Sequence, residues 1–266
     1  MAASLPSSDF PTGPRGTALV TGAAHRVGRA IALELARHGF GLLLTYRTRG
    51  RECDETARLA IEEARRAGHA VEAACHRLDL ADTAEASAFA QRMLASAAGR
   101  PLDALIHNAS SYESHAFGSI AAGDVERMHR VEVVSPLLLT QALAPALRAS
   151  RLEGGGAVVF FSDVHAIARA RPGFTPYLLA KSAVQSLARQ LAVELAPAVR
   201  VHCVAPGVVL WPEGTPEPTK EAILARTPLG RAGTAVEAAR LVRFLTLEAT
   251  YSTGDTVSIV GGRGLR

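Results

Sequence analysis

At 266 residues the chain can enclose one large hydrophobic core, and its 48% hydrophobic and 20% charged residues are the balance of a soluble globular domain. Its formal charge of +4 is carried by arginines scattered along the sequence, not gathered into the basic stripe that a nucleic-acid surface needs. Three widely spaced cysteines, Cys53, Cys75 and Cys203, and nine dispersed histidines offer neither a disulfide framework nor a metal site.

Residues 1–15 are rich in Ser, Pro and Gly and are expected to form a disordered arm ahead of a single domain, 16–266. The arm lacks the apolar core of a signal peptide, and no later run is long enough to span a bilayer. A cytoplasmic protein without a membrane partner is expected. Apolar runs at 18–21, 42–46, 70–76, 102–108, 157–163, 201–207 and 256–262 predict strands. Helical segments lie between them at 26–38, 54–67, 83–97, about 123–149, 176–196 and 234–247. Alternation of this kind predicts an α/β, Rossmann-type, doubly wound parallel sheet of about seven strands with right-handed crossovers. The strands are continuous apolar runs, so both sheet faces should be covered. Ligands of such a fold bind at the carboxyl ends of the strands.

The first strand runs into Thr21-Gly22-Ala23-Ala24-His25-Arg26-Val27-Gly28 and a helix follows. Backbone amides and a helix N-terminus at such a turn cradle a pyrophosphate, with Gly22 making the turn and Gly28 allowing close packing. Arg26 stands where a middle glycine is usual, near the diphosphate and within reach of the substrate. NAD binding needs a carboxylate at the end of the second strand, but the run from Tyr46, Arg47 and Thr48 through Arg49 to Arg51 holds no acid. The arginines suit a 2′-phosphate, so NADPH/NADP is the expected cofactor. Asp79 and Leu80 follow the third strand, where an Asp can receive an adenine amino group.

Tyr177 and Lys181 are spaced i, i+4 and share a helix face. Thr175 as N-cap and Pro176 at the first helical position place them one turn into a helix. The ammonium is expected to lower the phenol's pKa and make Tyr177 a general acid. Asp163 follows the fifth strand, where a carboxyl can hold a proton and relay it through Tyr177, or fix a substrate amino group.

With these residues in place, the chain resembles the short-chain dehydrogenase/reductase superfamily over about residues 16–263, and within it the pteridine reductases. The resemblance rests on TGAAHRVGRAIA, HNASSY at 107–112, SDVHA at 162–166, VAPGVVLWPEG at 204–214 and ARTPLGR at 225–231. It implies that Asp163, Tyr177 and Lys181 are catalytic, and that Lys181 also binds the nicotinamide ribose. Asn108 and Ala109 would line the cofactor, with Pro206 and Gly207 beyond them. Ser110 would touch cofactor and pterin, and Tyr112 would stack on the pterin. Arg26 and Trp211 would complete the substrate side, Trp211 on a closing loop at 208–233. A homotetramer is the family expectation.

Three positions depart from the family pattern. Glu132, four residues before Pro136, aligns with the usual Asn of the long helix. One extra residue lies in HAIARARPGFTP between Asp163 and Tyr177, and Val260 replaces a frequent Asp. The expected activity is NADPH-dependent reduction of a pterin or dihydropterin C=N bond. The alternatives are reduction of a carbonyl substrate and a catalytically silent NADP-binding sensor.

Overall fold

The computed structural model describes residues 10–167, 170–212 and 214–265. Among the described residues, seven strands form one parallel sheet: β1 (Gly16–Val20), β2 (Phe40–Tyr46), β3 (Ala73–Arg77), β4 (Ala104–His107), β5 (Gly156–Phe161), β6 (Val199–Pro206) and β7 (Thr256–Ile259). Their spatial order is β3-β2-β1-β4-β5-β6-β7. The order reverses between β1 and β4, where Val20 pairs with Leu44 on one side and Ile106 on the other. Chains leaving these two strands cross over in opposite directions, which opens a crevice at their carboxyl ends.

The continuous apolar strands are buried on both faces, as their composition requires. One face packs α1 (Arg26–Arg37), α2 (Gly50–Arg66) and α8 (Ala235–Leu247) over Ala18, Leu42 and Val159. The other packs α3 (Thr83–Ala97), α5 (Ser135–Arg148) and α6 (Thr175–Leu195) over Leu19, Leu105 and Val158. Few aromatics take part, so Ala, Leu and Val fill the core.

Four sequence expectations are corrected. Residues 10–15 are packed rather than a free arm: Phe10 is 1% exposed and the Thr12 backbone N–H reaches the Glu72 carboxylate. Residues 1–9 lie outside the described residues. The helix predicted at about 123–149 is α4 (Ala122–His129), a π-helical turn over Arg130–Val134, and α5. Pro136 accounts for the turn: it has no N–H for the carbonyl of Glu132, and its ring crowds that carbonyl. Thr175 is inside α6, and the N-cap is Phe174, which makes no side-chain cap. The loop at 208–233 contains a helix of its own, α7 (Glu217–Leu224); position 213 is outside the described residues.

Arg200 on β6 shows how the sheet's far end is closed. Its side chain is buried and donates to the carbonyls of Gly154, Leu245, Thr246 and Ala249, four acceptors that the end of α8 and the turn before β5 leave open. Arg200→Met strands these carbonyls away from water. We expect a loss of about 3 kcal/mol or more in urea unfolding; a midpoint equal to wild type would contradict this account.

Candidate active site

The turn from Thr21 to His25 links β1 to α1 at the crevice. Gly22 has φ +67°, and a Cβ there would lie 2.8 Å from the Ala109 Cα. A Cβ on Gly28 would lie 2.2 Å from the Gly22 carbonyl oxygen, so the first turn of α1 packs on the loop only with glycine present. Asn108 fixes the facing strand end: its side-chain amide donates to the carbonyls of Thr21 and Gly22, and the N–H groups of Asn108 and Ala109 both reach the Thr21 hydroxyl. Arg26 occupies the left-handed region at φ +55°, which costs a non-glycine residue about 1 kcal/mol or more. Its guanidinium donates to the carbonyls of Leu210 and Trp211, drawing the following loop over the turn.

The turn borders a cleft of about 410 Å³. Gly22, Arg26, Val27, Gly28, Tyr46, Arg47, Thr48, Asp79, Leu80, Asn108, Ala109 and Ser110 all line it. α1 carries no acidic residue in its first turn, so its dipole and its amides present a positive end to the cleft. Beside it the His25 imidazole has a lowered pKa, first through burial and then through Arg49, Arg26 and Arg29. A space walled by two glycines that no Cβ tolerates, beside an electropositive helix end, fits the phosphates of a dinucleotide.

Beyond this cleft stand the residues with proton chemistry. Tyr177 is 5% exposed, and its hydroxyl donates to Asp163 Oδ2 at 3.0 Å. The extra residue in the intervening segment therefore leaves that contact intact; its neighbours Ala168 and Arg169 are outside the described residues. Asp163 Oδ1 accepts from the His165 N–H, so the carboxylate also caps a short turn. Lys181 Nζ donates to the Phe161 carbonyl at 2.8 Å and pairs with Glu132 Oε2 at 2.6 Å.

A family model described as Enoyl-(Acyl carrier protein) reductase matches residues 22–263. The chain belongs to this short-chain dehydrogenase/reductase family. It is therefore an oxidoreductase of the class that uses a nicotinamide cofactor. The chain is 35% identical to an uncharacterized oxidoreductase, YmfI, of Bacillus subtilis, over 92% of this chain and 98% of that one. It is 28% identical to a dihydromonapterin reductase of Klebsiella pneumoniae, over 93% and 96%. Among solved structures, an acetoin dehydrogenase from Salmonella typhimurium matches with a TM-score of 0.79 at 29% identity, over 94% and 96%. A blue fluorescent protein from a metagenomic library, in complex with NADPH, matches with a TM-score of 0.79 at 26% identity, over 93% and 97%.

Tyr177 does not behave as its lysine neighbour alone predicts. Burial, followed by the Asp163 and Glu132 carboxylates, holds the Tyr177 phenol well above its usual value, where a lowering had been expected. Tyr112 is half exposed and lies against the ring of Phe174 at 4.8 Å, with its edge on Tyr177 at 5.1 Å. Its hydroxyl accepts from Arg171, whose guanidinium also covers Phe174. Pro206 ends β6, and the Gly207 N–H donates to the Ile259 carbonyl at the same sheet edge. The Trp211 side chain is partly buried, and only its carbonyl engages Arg26. Sequence reasoning did not place His25, Ser111 or Val131 on the cleft, although all three line it. His25 and Ser111 sit inside the quoted motifs, so adjacency was the available signal; Val131 had none.

Among the described residues no cluster of His, Cys, Asp or Glu is suited to a metal ion, and no helix is long and apolar enough to cross a membrane.

Proposed function

We propose that this protein reduces a pterin or dihydropterin at a ring C=N bond with NADPH. The observation that carries the reading is the Tyr177–Asp163 hydrogen bond at 3.0 Å, because it places a carboxyl, and not a serine hydroxyl, beside the proton donor. A serine there would hold a carbonyl oxygen. A carboxyl instead suits the amino and ring N–H groups of a pterin. Ser162, the serine nearest to that place, is turned away and donates to the Lys181 carbonyl.

Gly22, Arg26, Val27, Gly28, Asn108, Ala109 and Ser110 would hold the cofactor's phosphates and ribose, with Asp79 and Leu80 at the adenine. Arg47, Thr48 and Arg49 at the end of β2 favour a 2′-phosphate and hence NADPH. When bound, the nicotinamide supplies a hydride. Tyr177 gives the proton to the ring nitrogen beside the carbon that is reduced, and Asp163, which accepts the Tyr177 hydroxyl, takes up a proton from solvent and passes it to the tyrosine. Lys181 holds the ribose side of the site. Tyr112, Arg26 and Trp211 bound the substrate, Tyr112 by stacking on its flat ring, worth about 1 kcal/mol beyond burial. The loop at 208–233 closes over it.

The similarity to a dihydromonapterin reductase supports the substrate class, and the NADPH bound to a structural relative supports the cofactor. We place the enzyme in the cytoplasm as a homotetramer, a reading supported by apolar residues left exposed on α6, Val193 at 80% and Leu179 at 52%.

The test is oxidation of NADPH with dihydrobiopterin or dihydromonapterin, for wild type and Asp163→Ser, beside a panel of simple ketones. Wild-type turnover on the dihydropterins that falls roughly a hundredfold in the variant is the expected result. Turnover on ketones alone would transfer the reading to a carbonyl reductase. Tight NADPH binding without turnover would favour a cofactor-binding sensor.

A further inference from the structure

Glu132 lies in the π-helical turn, is 3% exposed, and has each of its two oxygens committed. Oε2 meets the Lys181 ammonium at 2.6 Å. Oε1 accepts from the Ser110 hydroxyl at 2.6 Å and from the Ser111 N–H at 2.9 Å. One buried carboxylate thus spans the catalytic lysine and the wall of the cofactor cleft. The π turn supplies the means, because widening the helix at this point brings Glu132 inward toward α6.

A buried carboxylate in ion-pair contact opposes the ammonium's field at a third group close to both. Lys181 Nζ stands 5.7 Å from the centre of the Tyr177 ring, with its other named bond going to the Phe161 carbonyl. Asp163 lies beyond β5, Glu132 in the π turn, Tyr112 beyond β4, and Lys181 on the same helix. Met128 of α4 packs against Tyr177 and carries no charge. Arg171, which lies over Phe174 and bonds the Tyr112 hydroxyl, is a further cation on this side, while the carboxyl groups of Asp163 and Glu132 both crowd the phenol.

We propose that Glu132 is a positioning residue for proton transfer: it neutralises Lys181 and ties the ion pair to Ser110 and Ser111, keeping Tyr177 a protonated donor across the neutral range. The lysine then serves to anchor and orient rather than to acidify the phenol. The inference rests on the reductase reading in supposing that Tyr177 delivers the proton; it holds for a C=N or a C=O substrate alike.

The experiment separates the two readings by using substrate-free protein first. The tyrosinate ultraviolet signal of Tyr177, taken as wild type minus Tyr177→Phe, should be absent below about pH 10, the range of ordinary tyrosines. In Glu132→Gln the same difference, taken against the double variant with Tyr177→Phe, should appear about one to three pH units lower than in wild type. Glu132→Asp, which keeps the charge, should restore wild-type behaviour. In NADPH-dependent reduction the alkaline limb of the rate profile should move down with the signal in Glu132→Gln, with kcat falling there more than the KM for NADPH rises. A Tyr177 signal near neutral pH in wild type overturns the proposal whether or not the variants fold. So does a folded Glu132→Gln whose tyrosinate curve matches wild type. Absence of turnover on every substrate with the ultraviolet shifts intact would sink the reductase reading and leave the electrostatic role of Glu132 standing.

Discussion

Tyr177→Phe should lower turnover by roughly a hundred- to ten-thousand-fold while NADPH affinity stays near wild type. The substitution removes one oxygen from a buried ring and no part of the cleft that holds the phosphates, since Tyr177 packs with Met128 and Ala180 beyond that cleft. The hydroxyl it removes bonds to Asp163 at 3.0 Å, so proton delivery and its resupply are lost together. Asp163→Asn keeps a polar group at the same place but cannot take up a proton and pass it on. It should lose less than Tyr177→Phe, and the double variant should be little worse than Tyr177→Phe alone, because residues acting as one relay are not additive. Losses that simply multiply would show two independent roles. Full turnover in Tyr177→Phe would remove the tyrosine from the mechanism.

Acidification should cost this fold on the order of 5 kcal/mol between about pH 6.5 and pH 4, through two buried imidazoles. His107, at the end of β4, lies against Phe160 at 4.6 Å and meets the Thr140 hydroxyl with Nε2. Burial lowers its pKa to about 3. His202 on β6 has no exposed surface, and neither ring nitrogen meets a hydrogen-bond partner among the described residues. Burial first, and then Arg200, lowers its pKa to about 4. In the unfolded chain both rings take up a proton near 6.5. Across the window below that value the unfolded state binds more protons than the folded one, so stability falls as pH falls. It is fully present above the window and lost as pH drops toward the folded values. Urea unfolding at neutral pH and at about pH 4.5 measures the slope, and His107→Leu with His202→Leu should flatten it. Equal midpoints at the two pH values would show that these rings are not buried as neutral groups.

The architecture was legible because its signals are local. Apolar runs such as those of β2 and β5 are buried on both faces only in a covered parallel sheet, and the helices between them carry their own periodicity. The glycine turn between β1 and α1 was legible for the same reason: Gly22 and Gly28 lie six positions apart and pack against each other's backbone. Arg26 was assigned a place near the diphosphate, but its bonds to Leu210 and Trp211 join positions far apart in the chain and follow from no spacing. α7 was missed because Pro216 and the polar residues around it read as loop, and none of its residues is buried to give a periodic face.

The strand–helix alternation, the glycines of the turn, the acid-free end of β2 and the Tyr177–Lys181 spacing can all be read along the chain. Each of these is set by backbone geometry or side-chain type over a short span. The electrical state of the site follows from contacts made in three dimensions. Whether Lys181 acidifies Tyr177 depends on what else faces the ammonium. Glu132 reaches it from another helix, through a π turn forced at Pro136, from 49 positions earlier in the chain. A Coulomb interaction depends on distance in space and on burial, and neither quantity is written in the order of residues along the chain.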